Sequence, residues 1–256
     1  MQAKFFLLAT IVCISSISKG QSNLPSADSM KLHHKMNIIK TNITSIPLKN
    51  YSLQYERVVS KSVSIAVTFR TMPSTTIPFK SAVRKAVGDD EDTKDIIEKT
   101  ELSNFAFTPE VRFYLGKGYG KGFYVAPYYR YVKFTTNKVP VSYNSGLGSE
   151  KTVTLNGDLT ANTGGILFGA QWLLGKHIAL DWWILGAHYG SGNGSFTGTP
   201  STPLTLTEQN EIRQELEDID IPLTEKTVTV TPNNVSVKLD GPFGGLRGGI
   251  SLGFRF

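Results

Sequence analysis

The sequence is almost without cysteine. Its single one, Cys13, lies in an apolar run near the start. The rest of the chain therefore offers no disulfide, no thiolate nucleophile and no cysteine-ligated metal. Long apolar runs are equally scarce. Beyond Gln21 none approaches the roughly 20 residues a membrane helix needs, so any passage through a bilayer has to be made by strands. Excess charge is small: 27 Lys and Arg stand against 21 Asp and Glu, net +6, or +4 once Lys4 and Lys19 are set aside (25 against 21). That is too mild an excess to point to nucleic acid. Apolar residues make up 40% of the chain, low for a packed globule and in keeping with a chain that alternates apolar and polar residues throughout.

Motifs that carry chemistry are missing in the same way. His33 and His34 are adjacent imidazoles without further ligands. The carboxylates Asp89 to Asp92 are candidate calcium ligands, but no glycine or distal glutamate stands where a calcium loop needs it, and they suit the start of a helix over 90–99 better. The run GKGYGKG at 116–122 is followed by a strand rather than a helix, which excludes a phosphate-binding loop and leaves a tight turn. His188 and Ser191 have no third, orienting group near them in sequence. No catalytic residue, cofactor or metal is expected, and the chain reads as a non-enzyme.

What the sequence does hold is alternation. The segment GGLRGGISLGFRF at 244–256 places Ile250, Leu252, Phe254 and Phe256 on one face and Gly249, Ser251, Gly253 and Arg255 on the other. Further strands are expected at 36–43, 51–57, 63–71, 103–115, 123–135, 159–174 and 178–189, giving eight in sequence order. Pro109 should leave a bulge or a local edge in its strand. Two facings stay open. Ile38, Ile39 and Ile43 do not share one parity, and Trp182 and Trp183 are adjacent, so that an inward Asp181 would carry Trp183 and Leu185 inward too. Residues 190–243 read as irregular except for a helix over 207–218, where Thr205 and Glu208 have capping-box spacing, and a small hairpin near 227–237.

At the start, Lys4, the apolar run 5–14 and the small residues Ser18 and Gly20 form a secretory signal with cleavage before Gln21. Val12 is too large for a lipoprotein cleavage box. The expected organisation is a signal peptide over 1–20, a periplasmic extension over 21–35 and a barrel over 36–256. Connections after strands two, four and six are short, and those after strands three, five and seven are long. This asymmetry is the habit of outer-membrane barrels, which keep short turns in the periplasm.

Several segments carry a family resemblance: KTNITSIPLKNYSLQYERVVSKSVSIAVTF within 36–69, FTPEVRFYLGKG at 107–118, GFYVAPYYRY at 122–131, GGILFGAQWLLG at 164–175 and the glycine-rich end. Together they resemble a family of small uncharacterised outer-membrane barrels of Bacteroidota, similar in architecture to the OmpA-type barrel. The resemblance implies an all-β fold, an eight-stranded antiparallel up-and-down transmembrane β-barrel with short helices in its long loops. It also implies that the last strand, with Ile250, Leu252, Phe254 and Phe256, is read by the barrel assembly machinery.

With apolar faces turned to lipid, the lumen would hold Gln54, Glu56, Arg70, Glu110, Arg112, Arg130, Gln171, Arg247 and Arg255, with Asp181 a further candidate. Both signs are present, and eight strands leave room for little beyond side chains, so a plugged lumen is expected. Tyr51, Tyr55, Tyr129, Tyr131, Trp172 and Trp182 are candidates for membrane-interface aromatics. The expected partners are outer-membrane lipid, the assembly machinery and an unidentified extracellular partner of the loops, with a structural or surface-interaction role. The alternatives are a narrow small-solute pore and a soluble secreted barrel whose apolar faces turn inward around an apolar ligand.

Overall fold

The two-residue period becomes strands that are often longer than the apolar alternation suggests. The computed structural model describes residues 35–77, 79–87, 91–116, 118–144, 150–219 and 221–256. The signal segment 1–20, the extension up to His34, and Asp89 and Asp90 lie outside the described residues. The strands are β1 (Asn37–Asn42), β2 (Tyr51–Val58), β3 (Val63–Thr76), β4 (Glu101–Tyr114), β5 (Gly122–Asn144), β6 (Glu150–Leu174), β7 (Ile178–Gly198), β8 (Glu225–Thr231) and β9 (Asn234–Arg255). Helices α1 (Lys80–Val87) and α2 (Glu91–Lys99) join β3 to β4, and α3 (Leu206–Asp218) lies between β7 and β8. No helix among the described residues is long and apolar enough to cross a membrane.

All nine strands form one antiparallel sheet in the order β1-β2-β3-β4-β5-β6-β7-β9-β8, and β1 also pairs with β9. The sheet therefore closes into a ring of β1 to β7 and β9. The count corrects the eight strands expected. β8 is the addition: it turns back at Pro232–Asn233 and pairs with β9 from Glu225↔Asp240 to Thr231↔Asn234. It lies beyond the point where β1 pairs with β9, at Ile38↔Arg255 to Asn42↔Ser251. β5, β6, β7 and β9 also outrun the ring at that end: β5 and β6 pair on to Asn144↔Glu150 in a connection that reads as a loop or protruding hairpin, and β7 and β9 run into 190–243, where irregular chain is expected apart from the helix and the small hairpin. The Gly, Ser, Thr and Asn residues that suggested loop there make long cross-strand ladders, such as Leu159↔Gly194 through Asn156↔Thr197.

Parity along the ring is broken by bulges. Between β7 and β9 the register shifts between Trp183 and Gly186. Asp181 and Trp183 are buried, Ile184 and Leu185 both face outward, and Gly186 is buried again. The extra residue resolves the two tryptophans, Trp182 out and Trp183 in, and puts Leu185 outside, where uninterrupted alternation would have turned it in. A second shift, between Thr136 and Val139 of β5, surrounds Lys138, which has a φ of 60°. At Pro109 the expected bulge is absent. β3 pairs through Val67↔Pro109 without a shift, and the β4–β5 ladder passes from Phe107↔Tyr131 to Glu110↔Tyr128 in unchanged register.

The sheet beyond the ring folds over α3. Tyr143, Val153, Leu155, Leu204, Ile212, Leu216, Val230, Val235 and Val237 form an apolar core there. The helix begins with a reciprocal cap. Thr205 Oγ1 accepts from the Glu208 amide at 3.3 Å, and Glu208 Oε2 accepts from the Thr205 amide at 2.9 Å. Lys151 Nζ of β6 donates to the other Glu208 oxygen at 2.7 Å and ties the helix to the sheet. A cavity of about 580 Å³ opens between α3 and the strands, lined mainly by apolar residues including Val139, Val141, Phe196, Leu216 and Leu239.

Two outcomes follow for this extension. Ile212→Ala, at a fully buried position, should cost about 2–5 kcal/mol locally; hydrogen exchange should report faster opening of α3 with the ring ladders unchanged. The second concerns pH. Hydrogen bonds from Lys151 and the Thr205 amide hold the Glu208 carboxyl down from 4.5 to about 2. A lowered folded pKa contributes stability above pH 4.5 that is lost as pH falls through about 2. Protection of the α3 amides should fall over that window in the parent chain and stay flat in Glu208→Gln.

Candidate functional site

Within the ring the alternation is inside out relative to a soluble core. Leu53, Phe69, Phe113, Phe168, Trp182 and Phe254 lie outside and exposed. Lys40, Gln54, Glu56, Glu110, Arg112, Gln171 and Asp181 lie inside, each with at most 2% of its surface accessible. Removing a charged group from water costs several kcal/mol, and such groups persist only when each is paired and hydrogen-bonded.

Here they are. Lys40 Nζ of β1 donates to Glu56 of β2, and to Gln171 Oε1 of β6 and Asp181 Oδ2 of β7, both at 2.7 Å. Arg112 of β4 donates through Nη1 to Asp181 Oδ2 at 2.7 Å, through Nε to Glu110 Oε1 at 2.7 Å and through Nη2 to Gln54 Oε1 at 3.0 Å. The remaining carboxylate oxygens are also served. Glu56 Oε1 accepts from Tyr114 and Ser64 at 2.7 and 2.6 Å, and Asp181 Oδ1 accepts from Tyr124 at 2.7 Å. Trp183 Nε1 reaches Asp181 at 3.1 Å, and Arg247 of β9 reaches Glu110 Oε2 at 3.2 Å. The Arg112 guanidinium lies 4.5 Å over the Tyr124 ring.

Two glycines make room for this packing. A Cβ at Gly169 would strike the Tyr124 ring, and one at Gly253 would strike the Lys40 stem. Towards the short turns the interior is stoppered. Gln171 Nε2 donates to the Gly120 carbonyl at 2.7 Å, and Ile38, Val58 and Ala179 pack with Tyr119 and Leu173.

The structure thus gathers Gln54, Glu56, Glu110, Arg112, Gln171 and Arg247 into one cluster with Asp181. Arg255 stands apart, half-buried near the short turns, donating to the Lys35 and Tyr119 carbonyls at 2.6 and 3.2 Å. Arg70 and Arg130 also stand apart, at a second cavity of about 160 Å³ under the β1–β2 connection. Arg247 lines that cavity as well, stacked 4.7 Å from both the Tyr128 and Trp183 rings. Tyr51, Tyr55, Tyr129, Trp172 and Trp182 are exposed and Tyr131 is half-buried. Ile250, Leu252, Phe254 and Phe256 all face outward, with Phe254 stacked on Phe256 and His177. His188 is half-buried and stacks on Phe243, whereas Ser191 is exposed on the opposite strand face.

Lys40 escaped the sequence reading altogether. The signal was its parity with Asn42 and Ile38, masked because Ile38 is an apolar residue packed in the stopper. Tyr114 and Tyr124 were visible only as the second face of aromatic strands.

A family model described as "Protein of unknown function (DUF3575)" matches residues 21–193. Neither a curated protein nor a solved structure matches the chain.

Asp181→Asn strips charge from between Lys40 and Arg112, and should destabilise the ring by about 3–5 kcal/mol in chemical unfolding. Adding Lys40→Met should restore part of that loss. Additive losses in the double variant would mean that the two side chains do not share one network.

Proposed function

We propose, for a chain that belongs to the DUF3575 family and so inherits no assigned activity, that it is an outer-membrane β-barrel acting at the cell surface. In this reading the eight-strand ring spans the bilayer, its short turns, the start of β1 and the end of β9 face the periplasm, and its interior is plugged. The extension built from β5 to β9 and α3 then stands outside the membrane and makes the contacts, with an extracellular partner unidentified. The resemblance to small outer-membrane barrels of Bacteroidota and the OmpA type favours the same reading.

The observation that carries it is the ring's inverted polarity: a fully hydrogen-bonded charge cluster inside and large apolar side chains outside. In water that exterior would be an apolar patch far larger than soluble monomers tolerate. In lipid it is what a closed sheet requires, since closure pairs the two strand edges that an open sheet would leave without hydrogen-bond partners. The apolar-ligand barrel would need the opposite facing. The plug supports a structural or binding role over a pore, because Lys40, Arg112 and their acids fill the width that eight strands leave.

In the membrane fraction the unboiled protein should run at a different apparent mass from the boiled one, and planar bilayers containing it should stay silent. Recovery in the soluble fraction with no mobility shift would overturn the membrane reading, and steady unitary openings would overturn the plug.

A further inference from the structure

The acids inside the ring are all spoken for. Glu56, Asp181 and Glu110 are bridged by Lys40, Arg112 and Arg247, three cations to three anions. Arg70 and Arg130 are left over. Among the described residues neither has a carboxylate partner. The charged groups they face are each other and Arg247. Arg130 is only 6% exposed, and its one side-chain hydrogen bond is to Thr108 Oγ1 at 3.4 Å. Arg70 Nε and His188 Nδ1 nearby are buried with no hydrogen-bond partner. A half-buried and a buried cation that share one cavity without an anion are costly. They are nevertheless held at the wall of one cavity of about 160 Å³, with the fork of Arg247 at the same wall.

We infer that this cavity is an anion site for a phosphate group. Two positive charges are uncompensated, which matches a dianion better than chloride or a single carboxylate. Guanidinium forks present paired N–H donors in the geometry that phosphate oxygens accept. Arg70 and Arg130 form the site. Arg247 is shared with Glu110, and so ties occupancy of the site to the charge network beneath it. Asn42, Ser52 and Thr68 add neutral polar groups around the cavity. The inference rests on the ring's interior and not on the bilayer assignment.

The test is isothermal titration of the purified full chain with sodium phosphate at constant ionic strength, set against the Arg70→Gln/Arg130→Gln variant and the exposed control Lys61→Gln. A parallel arm places the chain in phosphatidylcholine nanodiscs with and without phosphatidic acid, which separates a free phosphate from a lipid headgroup. Saturable binding should appear in the parent and control, and be about tenfold or more weaker in the double variant. Thermal unfolding adds a readout that a structural role would not give. The double variant should melt no lower than the parent in phosphate-free buffer, because it sheds repelling charges, and should lose the upward shift that phosphate gives the parent. Absence of saturable binding in both arms would overturn the site. So would binding undiminished in the double variant.

Discussion

Everything in the ring depends on one constraint: charges that have left water must meet partners, and the partners sit on different strands. Lys40, Glu56, Arg112, Gln171 and Asp181 come from β1, β2, β4, β6 and β7, and Arg247 adds β9 through Glu110. The network specifies register from the inside. A slip of one residue in any of these strands would turn its charge onto the apolar exterior and bury an apolar side chain in its place. The exterior sets no such rule, since one outward apolar residue serves nearly as well as another. Specificity of fold and polarity of the interior are therefore one property here.

The same chain uses the opposite solution a few residues further on. In the extension Val153, Leu155, Ile212 and Val235 are buried in an ordinary apolar core. β5 passes from one regime to the other through the shift around Lys138. Below it Tyr124, Tyr128 and Arg130 face inward; above it Tyr143 is turned into the core under α3. A bulge thus re-aims a whole strand at the boundary between two kinds of interior.

Much of this could be read from residues in a line, and the failures have physical causes. Strands with strict alternation, such as Leu53 to Glu56 or Phe105 to Arg112, declare both their existence and their two faces. The α3 cap was legible because Thr205 and Glu208 satisfy each other locally. Lys40 was hidden because the stopper puts Ile38 inside, so apolar no longer means outward. The facing of Leu185 depends on an added residue that leaves no mark in composition. The β8–β9 hairpin is legible in the Val and Thr alternation of 227–237, but the far ends of β7 and β9 read as loop because their Gly, Ser and Thr residues are poor in apolar contrast. Their pairing is fixed by partners distant in sequence. The pairing of Arg112 with Asp181, 69 residues apart, belongs to the same class.

The seam of the ring joins its first strand to its last. Asn37 N donates to the Phe256 carbonyl at 3.1 Å, and Phe256 N to the Asn37 carbonyl at 2.9 Å. Until residues 251–256 arrive, β1 and β7 each present an unpaired edge, and Lys40 lacks the strand that flanks it on one side. Loop-closure entropy makes a contact between such distant segments slow to form. An open sheet with those two edges unpaired would offer them to a neighbouring strand. A cell making this protein would have to shelter it for as long as the seam stays open.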